Sequence, residues 1–210
     1  VDFDSRHYFG AYGRFKLKQL QSLQIKVAIS LVSIEKAIDN LNEIPHWSFE
    51  ETRLAADSVW NDHLSRIQIN GGTPEQRIQF YSCLRNTMIM PTDVIGETPG
   101  WDEETPHYWD HYCLWDVFRT VMPLHTLILP DRQRSVINGL LGIYKKKGWL
   151  PDAWVAGDYA DVQGGTNADV ILTDAIVKNL DGFDHELALE AMLKNGSIPS
   201  DQPAIYGRYL

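Results

Sequence analysis

The sequence predicts a mainly α-helical chain of successive helical hairpins, preceded by the last strands of a β-sheet. Three observations carry this. Apolar residues recur with a period of two only near the N-terminus, up to about residue 32. From Ser33 onward the period is helical, with capping residues at the starts and glycines at the stops. The connections between helices alternate between long and short, and the long ones concentrate aromatic and acidic residues.

Leu23, Ile25, Val27 and Ile29 alternate with Gln24, Lys26, Ala28 and Ser30, which is the pattern of a half-buried strand. Upstream, residues 8–15 are aromatic and punctuated by Gly10 and Gly13, as strand and turn sequence is. One or two strands cannot bury a face alone, so this sheet calls for partners that the chain does not contain.

Ser33 is placed to cap a helix carrying Ile34, Ala37, Ile38 and Leu41. Ser48 and Glu51 have capping-box spacing ahead of a stripe through Phe49, Ala56, Trp60, Leu64 and Ile67. Thr73-Pro74-Glu75-Gln76 combines an N-cap, proline at the first helical position and a box glutamine, and starts a helix running to about Pro91. Residues 93–110 have no period and read as a long ordered loop. Helix resumes near His111 and again from about Asp131 to Lys147, where three lysines complement the dipole and Gly148 supplies the stop. A second long loop leads to Gly164-Gly165-Thr166, with Thr166 and Asp169 starting a helix to about Asn179, and a last helix spans roughly residues 184–194.

The composition narrows the function. A chain of 210 residues with 44% hydrophobic residues can bury a sizeable core, and a formal net charge of -9 disfavours nucleic acid or an anionic membrane as partner. No apolar run reaches membrane-spanning length, because Val121 to Leu129 is interrupted by Pro123 and His125. Cys83 and Cys113 sit in helix-like apolar sequence and read as buried thiols. The seven histidines suggest no transition-metal ligand set, and Asn195-Gly196-Ser197 fits a glycosylation sequon of a kind that also arises by chance. There is no Gly-x-Ser-x-Gly elbow, P-loop or dinucleotide glycine motif.

The chemistry is carried by acids and indoles. Trp115, Asp116 and Arg119 lie inside apolar sequence; on a helix, Asp116 and Arg119, three apart, share a face. Two readings stand: a sugar site, where the ring covers the apolar face of a pyranose while the charged groups bind hydroxyls, or a core tryptophan beside a structural ion pair. Asn167, Asp169 and Asp174 surround a helix N-terminus behind a double glycine, which suits a polar ligand, capping by Asp169, or pairing of Asp174 with Lys178. Trp101, Trp109, Trp149 and Trp154 are sugar platforms or packing anchors, and Asp158 and Asp161 lack the ligand run of a calcium loop.

Taken together, Phe80-Tyr81-x-x-Leu84-Arg85 with Pro91, Leu114-Trp115-Asp116-Val117-Phe118-Arg119 with Pro123-Leu124, Gly148-Trp149-Leu150-Pro151, and Gly164-Gly165-Thr166-Asn167-Ala168-Asp169-Val170 with Asp174-Ala175 and Val177-Lys178 resemble glycoside hydrolase family 92 in order and spacing. The similarity covers roughly residues 25–195. It implies the first part of a six-hairpin α/α barrel (toroid), preceded by the C-terminal strands of a β-sandwich. The corresponding division is 1–32 for the end of the sandwich, 33–71 for a helical linker and 72–210 for the N-terminal part of the catalytic barrel.

The activity the resemblance implies is that of a calcium-dependent, inverting exo-α-mannosidase, exported to the periplasm or outside the cell. Its substrate would be a mannose-containing glycan, and its other partners the remaining segments of the same enzyme. By the family pattern Trp115 and Asp116 face the terminal mannose, Arg119 supports them, and Asn167 and Asp169 belong to another loop of the site. The general acid, the general base and the calcium ligands fall outside this segment, which as a fragment is expected to be inactive. The alternatives are a carbohydrate-binding helical module without chemistry, another α/α-barrel glycosidase or lyase, or a scaffold.

Overall fold

The computed structural model describes residues 12–18, 22–102, 104–111, 114–160 and 165–199. Residues 8–11, Cys113, Asp161 and Gly164, on which the sequence reading also drew, lie outside them. Eight α-helices are present among the described residues: α1 (Ile34–Asn40), α2 (Phe49–Leu64), α3 (Pro74–Thr87), α4 (Leu114–Val117), α5 (Val121–Ile128), α6 (Pro130–Lys147), α7 (Asn167–Val177) and α8 (His185–Ser197). The rest is two short antiparallel ladders, β1 (Thr92–Asp93) with β2 (Tyr108–Trp109) and β3 (Trp154–Val155) with β4 (Asp158–Tyr159), and a 3-10 turn at Leu41–Glu43.

The helix starts obey local chemistry. Ser33 Oγ accepts from the Lys36 amide, Ser48 Oγ from Glu51, and Asp184 from Leu187. Thr73 and Gln76 close both halves of a capping box with Pro74 in the first turn. Gly148 ends α6 in the left-handed conformation at φ 87°, which a residue with a Cβ adopts only under strain. One predicted cap differs. Thr166 lies in the left-handed region at φ 64° and not in the extended conformation of a capping residue, and makes no side-chain cap; its amide is held by Asp152 Oδ1 at 3.1 Å, the place a box acid would take, and Asp169 Oδ1 accepts from Asn195 of α8 instead.

The fold is organised around α6, whose Val136, Ile137 and Leu140 are fully buried. They share one core with Leu114 of α4, Met122 of α5, Ala168, Ile171 and Leu172 of α7, and Ala188 and Ala191 of α8. Successive helices α5 and α6 pack together, as do α7 and α8, while α5 also packs on α7 and α6 on α8. Two hairpins therefore lie side by side in two layers. A second cluster joins Leu84 and Met88 to Leu129, with Trp60, Leu64 and Phe80 against it.

Two expectations are corrected. The stretch from Leu23 to Ser30 forms no strand, and Ile25, Val27 and Ile29 are exposed: the alternation is there, but no partner strand among the described residues exists to satisfy it. Cys83 is exposed, since its neighbour Leu84 takes the inward position on α3.

Candidate functional site

The two long loops fold onto each other and onto α6. Across β1 and β2, Thr92 pairs with Trp109 and Asp93 with Tyr108, closing the first loop into a unit. That unit lies against α6, where Gly139 and Gly142 leave room for the Tyr108 ring and the Pro106 carbonyl, and the Tyr108 hydroxyl donates to Ser135 at 2.8 Å. The second loop closes at β3 and β4, with Trp154 opposite Tyr159. Trp154 is the joint between them: its amide donates to the His111 carbonyl at 3.2 Å, and its ring meets Trp101, His107 and Tyr159 edge to face at 5.3–6.2 Å.

This packing decides the role of most loop tryptophans. Trp149 and Trp154 are buried, at 5% and 0% exposure, and Trp101 stacks on His107 at 3.8 Å. Trp115 is different, with 46% of its surface exposed on the four-residue α4. Asp116 beside it is exposed as well.

The expected partnership of Asp116 with Arg119 is not formed among the described residues. The helix stops at Val117, so the three-residue spacing does not place the two on one face, and the Arg119 guanidinium instead stands over the rings of Trp115 (5.6 Å) and Phe118 (5.0 Å). One side of the indole faces a cation, and the Asp116 carboxylate has no ion pair among the described residues.

Asn167 and Asp169 open α7, which packs against α4 through Leu114, Ala168 and Ile171. Asn167 is buried at 7% exposure, and Asp169 Oδ1 accepts from Asn195 Nδ2 at 2.8 Å, which anchors α7 to α8. The structure therefore unites the start of α7 with α4 on one core while committing one Asp169 oxygen to internal bonding. Asp174 pairs with Lys178 and is structural. Asn195 is fully buried, so its sequon offers no acceptor in the folded chain.

Sequence reasoning missed His107, His111 and His125. All three are at most 2% exposed, and neither ring nitrogen of His107 or His111 has a hydrogen-bond partner among the described residues. Burial holds the imidazoles neutral: His107 is pushed down to about 4, assisted by the Lys146 charge, and His111 to about 3, assisted by His107 and Arg132. His125 is pushed down to about 4 by burial and Arg132. The spacing of His107 and His111 was visible, but nothing in it announces burial.

Calcium does not fit the described residues. No group of three or more His, Cys, Asp or Glu among them is placed to hold a metal, and Asp158 is engaged by Lys147 at 3.3 Å and by the Tyr159 amide.

Comparison with known proteins follows the same outline. Residues 36–208 match the model of the glycosyl hydrolase family 92 catalytic domain. An uncharacterized secreted glycosidase of Arthroderma benhamiae is 31% identical over 189 residues, spanning 87% of this chain and 21% of its own length. Among solved structures, a family GH92 inverting mannosidase of Bacteroides thetaiotaomicron superposes with a TM-score of 0.77 at 29% identity, covering 85% of this chain and 26% of that one. A family GH92 α-mannosidase of the same bacterium gives 0.74 at 25% identity, covering 83% and 25%. The chain thus spans about a fifth to a quarter of the length of these relatives.

Proposed function

The chain belongs to glycosyl hydrolase family 92, and from that premise we propose that the protein of which it forms part removes terminal α-linked mannose from glycans, with this segment supplying sugar contacts. The observation that carries the reading is the exposed Trp115 with the adjacent Asp116 carboxylate, which has no ion pair among the described residues, on a turn whose other side is fixed in the core by Leu114. In this reading the free part of the indole covers the C–H face of the sugar. Asp116 accepts hydrogen bonds from hydroxyls, and Arg119 holds the indole.

The reaction is proposed to invert, with an acid and a base on opposite sides of the anomeric carbon and water between. Both belong to parts of the enzyme beyond this segment, so Asp116 is assigned a binding role and no proton transfer. Calcium is proposed on the resemblance alone, with ligands in those same parts. The division at about residues 32 and 71 is likewise proposed: exposed Ile25, Val27, Ile34, Ile38 and Phe49 suit burial by a sandwich and by further hairpins. An exported enzyme is proposed too, in line with the relative described as secreted; no helix among the described residues is long and apolar enough to cross a membrane.

The test is release of mannose by the full-length protein from α-linked mannosides, with calcium and with chelator, and NMR of the anomer first formed. No mannose under either condition refutes the activity, and a first-formed α-anomer refutes inversion.

A further inference from the structure

Against Leu114 and Val117 of α4 lies a cavity of about 50 Å³, lined also by Met90, Pro91, Asp110, His111 and Met122 and not by Trp115 or Asp116. Its walls come from four places: the end of the α3 connection, the close of the first long loop, α4 and α5. The lining is apolar except for Asp110 and His111. The Asp110 carboxylate is held by Thr92, whose hydroxyl donates to Oδ2 at 2.8 Å. His111 is 2% exposed, and both its ring nitrogens lack a partner among the described residues.

A helix of four residues has no stability of its own, since one turn fixes several dihedrals for a single hydrogen bond. The direction in which α4 presents its outer residues is therefore set by what supports its inner ones. Leu114, at 1% exposure, is anchored in the main core and Val117 packs against its edge, and both also line the cavity, so the inner side of α4 rests partly on the core and partly on this space. A void of this size admits water, which needs roughly 10–15 Å³ per molecule and two or more polar partners. A neutral imidazole offers one donor and one acceptor, and leaving both unmet in an apolar enclosure is costly.

We propose that His111 is a positioning residue, which through water held in this cavity supports the back of α4 and so sets the orientation of Trp115 and Asp116. The proposal concerns the mannose site and rests on that reading for its kinetic consequence, while its structural content stands without it.

The experiment uses the full-length protein and the variants His111→Phe, His111→Gln and Val117→Leu. High-resolution crystals of the parent are expected to show ordered water in the cavity within about 3.2 Å of a His111 ring nitrogen. In His111→Phe, and in Val117→Leu, which fills the cavity with carbon, α4 is expected to shift, and kcat/KM on an aryl α-mannoside to fall roughly 10- to 100-fold, mostly in KM. His111→Gln, which keeps a donor and an acceptor, is expected to restore most of it. A purely structural histidine would lower the melting temperature and leave KM alone, and Val117→Leu would then be kinetically silent. A dry cavity, or an α4 that stays in place in both apolar variants, overturns the proposal even if the parent hydrolyses no mannoside. If the parent shows the water and the shift but no hydrolysis, the activity reading fails and the support role is retained.

Discussion

The Trp154 amide donates to the His111 carbonyl at 3.2 Å, and this bond joins the loop after α6 to the residue that leads into α4. The Trp154 ring is fully buried among Trp101, His107 and Tyr159. Replacing it by alanine opens a large void at the junction of both loops, at a cost of about 3–5 kcal/mol. Trp154→Ala is expected to lower the thermal midpoint by several degrees, and Trp154→Phe by less. A midpoint unchanged by the alanine variant means the ring is no keystone.

Asp116 is exposed and forms no ion pair with Arg119 among the described residues, so removing its charge has little to disturb in the fold. In the full-length enzyme Asp116→Asn is expected to reduce kcat/KM on mannosides by about 100-fold or more while leaving the unfolding midpoint in place, because hydrogen bonds to a charged acceptor are the strong ones. Full turnover in this variant removes Asp116 from the sugar contacts.

Arg119 contacts Trp115 and Phe118 through ring faces, a contribution of about 0.5–1 kcal/mol at an exposed site. Arg119→Met keeps much of the aliphatic contact and removes the cation. A several-fold rise in KM with kcat nearly constant is expected from steady-state kinetics; a large loss of kcat instead points to a direct part in the chemistry.

The helical half of this architecture was written in local sequence, and the site only partly so. Ser33, the Thr73–Gln76 box and Gly148 act within a few residues, which is why capping chemistry located α1, α3 and the end of α6. Leu23 to Ser30 carried an equally clear alternation, yet a strand is defined by its neighbours, and none is supplied among the described residues. The spacing of Asp116 and Arg119 suits one helical face, and no local signal marks the stop at Val117. Burial of His107, His111 and Trp154 depends on two loops about 50 residues apart in the sequence meeting on α6, and such contacts leave no periodic trace.

Asn195 is fully buried and donates to Asp169 across the α7–α8 contact. Asn195→Ala leaves that carboxylate without one of its donors and is expected to cost about 1–3 kcal/mol in urea unfolding. The same burial predicts that protein secreted from a eukaryotic host carries no glycan at this position, as read by peptide mass spectrometry. An occupied Asn195 would show that the α7–α8 contact forms only after the sequon has been processed, or not at all.

His107, His111 and His125 make the fold sensitive to acid. In the unfolded chain a histidine takes up its proton near 6.5, whereas in the fold His107 and His125 do so at about 4 and His111 at about 3. Below 6.5 the unfolded state therefore binds more protons than the native one, and stability falls as pH drops from 6.5 toward 4. Carboxylates such as Glu97, held below its usual range by hydrogen bonds from Asn40 and Ser30, add to the loss only at lower pH, so the interval from 6.5 to 5 isolates the histidines. Urea midpoints of the full-length protein are expected to decline across that interval, and His125→Asn to flatten the decline. A midpoint constant from pH 7.5 to 5 means that these imidazoles are hydrated enough to titrate as they do in the unfolded chain.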